Sequence, residues 1–154
     1  MKKCLAIALF LIFDFCILMH PVSAQAPIDN KSIPESVKKN FADKFPSVQN
    51  PIWTQPSPGF LETNFVFEKH YIEVMFSTFG DWVSTDTKLK VEEFPASATA
   101  YLASNISGGK ITGYFKSETM KGIGFYAEVK ESGKIFTYTF DADGNFLSKV
   151  EEEE

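Results

Sequence analysis

Two groups of residues in this sequence have types and spacing able to do chemistry. The first is "FDADGNFLSK", Phe140 to Lys149, with Asp141, Asp143, Gly144 and Asn145 close together. That run resembles the start of a calcium loop. An EF-hand loop needs glycine at its sixth position, and counting from Asp141 the sixth residue is Phe146. Glu152 falls twelfth, but strand-like sequence follows the run rather than a helix. The alternative is a tight hairpin turn, with Gly144 supplying a positive φ. The sequence favours the turn, and no metal is expected.

The second group is a set of carboxylates, Glu62, Glu73 and Glu128, within alternating segments. Two carboxylates held close together carry out glycoside hydrolysis. Glutamates also keep a solvent-facing sheet soluble, which needs no catalysis. His70 is the one histidine outside the first 24 residues. As a base or metal ligand it has no second histidine or cysteine beside it, so a turn residue in "EKH" is the simpler reading. No nucleophile-elbow sequence accompanies it, and no catalytic residue is assigned. Gly108, Gly109 and Lys110 lack phosphate-loop spacing, and no cofactor is expected. Trp53 and Trp82 suit either a ligand pocket or packing under helices.

The elements that position these residues follow from periodicity. "IPESVKKNFADKFP" and "FPASATAYLASNIS" superpose at an offset of 61, each with apolar residues every four positions, as in a helix packed on one face. Ser32 and Glu35 read as a capping box, and Pro46 and the Gly108–Gly109 pair as stops. "YIEVMFSTFGDWVST" and "IFTYTFDADGNFLSK" superpose at an offset of 64 and alternate as strands. Ile72, Val74 and Phe76 share a core side with Phe136, Tyr138 and Phe140. Leu61 to Phe67 and Phe125 to Val129 read as further strands; Ile52 to Thr54 and Lys110 to Lys116 are weaker ones. "QPSPG" is a loop, and "STDTKLKVEE" reads as a linker. The fold expected is α+β: a tandem repeat of a helix plus an antiparallel sheet of about four strands, the helices packed on one face. The expected divisions are 1–24, 30–90, 91–150 and an acidic tail at 151–154.

The opposite side of the strands carries Tyr71, Glu73, Met75, Tyr126, Glu128, Ile135 and Thr137, the candidate binding face. Tyrosine and methionine among polar groups suit protein recognition, and they also suit an ordinary half-exposed sheet.

Residues 1–24 read as a secretory leader: Lys2 and Lys3, an apolar run from Leu5 to Met19 interrupted by Asp14, then small residues ending near Ala24. Cleavage there, or after Ala26, removes Cys4 and Cys16, and the remaining chain has no thiol. It would keep thirteen lysines against nineteen carboxylates, a net charge of −6. Arginine is absent from the whole chain. An acidic balance without arginine argues against a nucleic-acid partner. The apolar run is too short for a spanning helix, so no membrane span is expected after leader removal.

The helix ending "KFPSVQNPIW", the alternating strands and "FDADGNFL" together resemble the PepSY-like family of secreted bacterial proteins, also described as β-lactamase-inhibitor-like. The resemblance covers about residues 30–150. It implies tandem helix-plus-sheet units and a periplasmic or secreted location. It brings no established catalytic residues. The function expected is a non-enzymatic binding module for a protein, peptide or other envelope component. A carboxylate hydrolase acting on envelope glycans and an inhibitor of a secreted enzyme are the alternatives.

Overall fold

A computed structural model describes residues 26–152. The leader reading, with Cys4 and Cys16, and the last two residues of the acidic tail lie outside the described residues. Helix α1 spans Glu35–Lys44 and α2 spans Ala96–Asn105. The strands are β1 (Trp53–Thr54), β2 (Phe60–Phe67), β3 (His70–Ser77), β4 (Trp82–Leu89), β5 (Lys110–Thr119), β6 (Gly122–Glu131), β7 (Lys134–Phe140) and β8 (Phe146–Glu151). Short 3-10 turns stand at Asn30–Ser32 and Val91–Glu93.

The strands form one eight-stranded sheet in chain order, each antiparallel to its neighbour. This corrects the expected tandem of helix-plus-four-strand units. β4 and β5 pair from Ser84 opposite Thr119 to Leu89 opposite Tyr114. Most of the expected linker, Ser84 to Leu89, is therefore strand. The physical reason is hydrogen bonding: two separate sheets would leave β4 and β5 as edges with unpaired backbone groups. The segment read as a linker because it lacks the apolar alternation of its neighbours.

Register shows that both helices cover the same face. Val74 stands opposite Thr85, Thr85 opposite Glu118, and Glu118 opposite Ile123. Ile123 shares its side of β6 with Ala127 and Val129. Under α1, Val37, Phe41 and Phe45 pack on Leu61, Ile72, Val74 and Phe76. Phe41 makes ring contacts with Phe45, Trp53, Phe65 and Phe76 at centroid separations of 5.4–6.4 Å. Under α2, Ala98 and Leu102 pack on Ala127, Val129, Tyr138 and Phe140. The apolar period of four turns one stripe of each helix onto the sheet.

Both helices begin after a proline, Pro34 and Pro95, with φ near the value the ring imposes. The capping box expected at Ser32 and Glu35 does not form. The N-cap is Pro34, which has no side-chain oxygen to offer, and Glu35 instead pairs with Lys38 at 2.8 Å. The "EKH" turn is tight, with Glu68 and Lys69 both at positive φ.

Candidate binding face

The other face of the sheet carries no helix among the described residues, and strand register assembles it residue by residue. Glu73 stands between Asn64 of β2 and Asp86 of β4. Asp86 is opposite Ser117 of β5, and Ser117 is opposite Gly124 of β6. In the adjacent row Lys88, Phe115, Tyr126 and Thr139 follow one another across the strands. Glu128 is opposite Thr137, and Lys130 opposite Ile135. All of Tyr71, Glu73, Met75, Tyr126, Glu128, Ile135 and Thr137 thus lie on this one face.

They differ in what they can offer a ligand. Tyr71 is 43% exposed and Ile135 40%, whereas Tyr126 is only 2% exposed. Tyr126 is a floor residue: its ring stacks on Phe115 at 4.7 Å and 9°. Glu73, Met75, Glu128 and Thr137 are half-buried. Thr137 donates its hydroxyl hydrogen to Glu152, whose backbone N–H donates to the Ile135 carbonyl, so Glu152 lies against β7.

Asp86 and Ser117 were missed by the sequence reading. Asp86 was hidden in the supposed linker, although continuing the β4 alternation from Ser84 through Asp86 to Lys88 would have put these three on one side of the strand. Asp86 and Ser117 are both buried. Asp86 Oδ1, Ser117 Oγ and the Tyr126 hydroxyl have no hydrogen-bond partner among the described residues.

Burial and mutual repulsion shift the acids. Burial, reinforced by Glu62, Asp86 and Glu128, pushes the Glu73 carboxyl up to about 8. Burial pushes Asp86 up to about 6; the Ser117 hydroxyl beside it pulls the other way, without a hydrogen bond of ordinary geometry. Burial also raises Glu62 and Glu128, and raises the Tyr126 phenol well above its usual value. Among the described residues none of the four carboxylates takes part in an ion pair.

The remaining candidates have structural roles. His70 opens β3, and its Nε2 lies 2.9 Å from Glu93 Oε1, tying the strand to the turn before α2. In the "FDADGN" turn, Asp141 accepts hydrogen bonds from the backbone of Asp143 and Asn145 and from the Asn145 side chain. Asn145 in particular holds the Asp141 carboxyl below its ordinary range. Ser77 does similar work in the earlier turn, accepting from the Asp81 backbone at 3.0 Å. Among the described residues no group of histidine, cysteine and carboxylate ligands is placed to hold a metal. Trp53 is buried under α1, and Trp82 carries Lys44 Nζ 4.0 Å from its ring. An open groove beside Trp82, Lys44 and Met120 lies toward the α1 side of the molecule, away from the acids.

No family model and no curated protein matches the chain. Three crystal structures share its architecture. A protein assigned to the periplasm from Bacteroides eggerthii has a TM-score of 0.67 at 20% identity, covering 77% of this chain and 88% of its own. A DUF2874 family protein from Bacteroides ovatus has a TM-score of 0.68 at 19% identity, covering 77% and 86%. A BLIP-like protein from Bacteroides fragilis has a TM-score of 0.66 at 17% identity, covering 79% and 88%. The β-lactamase-inhibitor-like side of the resemblance is carried by these structures, and the PepSY-like name is not. At such identities the likeness establishes fold alone: this chain has a BLIP-like fold.

Proposed function

We propose that the chain is an exported, non-enzymatic binding module that receives a protein or peptide of the cell envelope on its helix-free sheet face. The observation that carries this reading is the face itself. It spans the sheet without a covering helix, and it presents Val66, Tyr71 and Ile135 around a band of unpaired acids. A buried, unpaired carboxylate costs stability, so its retention fits a group awaiting a partner. Export is supported by the leader-like residues 1–24 and by the periplasmic assignment of the B. eggerthii protein. No helix among the described residues is long and apolar enough to cross a membrane. The inhibitor reading draws on the BLIP-like fold, but fold does not fix function.

A carboxylate hydrolase keeps one supporting observation, the raised Glu73 opposite Asp86. The groove beside Trp82 does not contain this pair.

Affinity capture from envelope extract tests the reading. The wild-type chain should retain a stoichiometric protein partner, and Val66→Ser with Tyr71→Ser should lose it. Equal capture by Ser104→Ala, altered on α2, serves as the control. Retention by the Val66 and Tyr71 variant would remove this face from the account.

A further inference from the structure

We infer that the carboxylate band centred on Glu73 and Asp86 takes an organic cation from the partner, an ammonium or guanidinium group on a basic peptide segment. The inference rests on the sheet-face reading and names the chemistry of its occupant. Glu73 and Asp86 are direct cross-strand neighbours, and ionising both at once puts like charges opposite each other, a cost that a bound cation would relieve. Glu62 and Glu128 flank them. The lysines of the chain that form ion pairs do so elsewhere, with Glu35, Asp43, Glu118, Glu131 and Glu151.

The second observation lies beneath the band. Tyr126 and Ser117 are each 2% exposed and Asp86 5%, yet a polar oxygen of each lacks a partner. Tyr126 lies within electrostatic reach of Asp86, Glu73 and Glu128, which places its hydroxyl among the acids. Three unpartnered oxygens, all able to accept hydrogen bonds, match a group with several donors; ammonium has three and guanidinium five. A compact metal ion fits less well, because no chelating group forms among the described residues. The stacked Phe115 and Tyr126 rings add an aromatic wall, and Lys88 Nζ already lies 5.8 Å from the Phe115 centroid. The charged and titratable groups facing the band are Glu62 from β2, Tyr71 from β3, Lys88 from β4, Lys110 from β5, Tyr126, Glu128 and Lys130 from β6, and Glu152 beyond β8. With Glu73 and Asp86 the acids outnumber the three lysines.

Calorimetric titration of the chain with tetra-arginine amide and tetra-lysine amide tests the inference, with uncharged tetra-citrulline amide as control. Either cationic peptide should bind, and tetra-citrulline should not. Glu73→Gln with Asp86→Asn should weaken binding at least tenfold; neutralising Glu92 and Glu151, which lie off the face, should change it less than twofold. A melting curve checks that the double variant is folded. Equal affinity in the wild-type and Glu73/Asp86 chains, no binding of either cationic peptide, or calcium chloride binding in their place would overturn the inference. Capture of the envelope partner by both chains alike would also overturn it, while leaving the sheet-face reading intact.

Discussion

Glu73 and Asp86 make the pH dependence of stability opposite to that of most small proteins. Glu73 titrates near 8 in the folded chain against an ordinary 4.5, and Asp86 near 6 against 3.8. Across those intervals the folded chain holds protons that the unfolded chain has released. Stability therefore falls as pH rises through them and levels off above about 8. Glu93, Glu131 and Asp141 act in the opposite sense, because partners hold their carboxyls low. Their contribution is present at neutral pH and lost in acid, and their exposure keeps it small. Melting should accordingly occur at higher temperature near pH 5 than near pH 8.5. Glu73→Gln should flatten the slope and raise stability at the alkaline end by on the order of 2–4 kcal/mol. A wild-type chain that melts higher at pH 8.5 would contradict this. The sequence made Glu73 visible, since strand alternation put it on the non-core side. It could not show the burial that shifts it, nor Asp86 opposite, because both depend on which strand lies alongside β3.

Glycine at the two matching turns shows what local pattern reveals about the elements and what it hides. Gly80 and Gly144 were legible as positive-φ turn residues, and both adopt that conformation, at 105° and 79°. Their second role was not legible. Each turn docks on the first turn of its helix, where a Cβ on Gly80 would stand 2.7 Å from Ser36 Cβ, and one on Gly144 would stand 2.7 Å from Pro95 Cβ and against Ser97. Asn40 donates to the Gly80 carbonyl and Ser97 to the Asp143 carbonyl, both at 2.8 Å, fastening helix to turn. Gly59 also has positive φ, but nothing lies within 4 Å of its would-be Cβ. Gly59→Ala should thus cost only the left-handed strain, about 1–2 kcal/mol. Gly144→Ala adds a steric clash and should cost roughly 2–4 kcal/mol. Urea midpoints of the two variants would check the order, and equal losses would argue against the docking.

At the scale of the whole molecule, the pairing of β4 with β5 joins two hydrophobic clusters through one sheet. The offsets of 61 and 64 located helices, strands and turns, yet they suggested a division that the sheet does not make. Repeated elements read the same whether their sheets are separate or continuous; only edge pairing distinguishes the cases. Both tryptophans lie in the first half, so their fluorescence reports there alone. Leu102, on the buried side of α2, is 1% exposed and packs on the sheet in the other half. Leu102→Ala should destabilise the protein by about 2–5 kcal/mol. In a single cooperative unit, the tryptophan midpoint should fall with the circular-dichroism midpoint. An unmoved tryptophan midpoint would show two units melting independently. Function has its own whole-molecule test, because a covered face and an open face should meet different surroundings. The most direct measurement is photo-crosslinking in the cells that make the protein, with benzoyl-phenylalanine incorporated at Tyr71 on the open face or at Ser104 on α2. A discrete crosslinked partner from position 71 and none from position 104 is the result expected. Crosslinks from 104 alone, or none from 71, would contradict the claim that this protein works through its helix-free face.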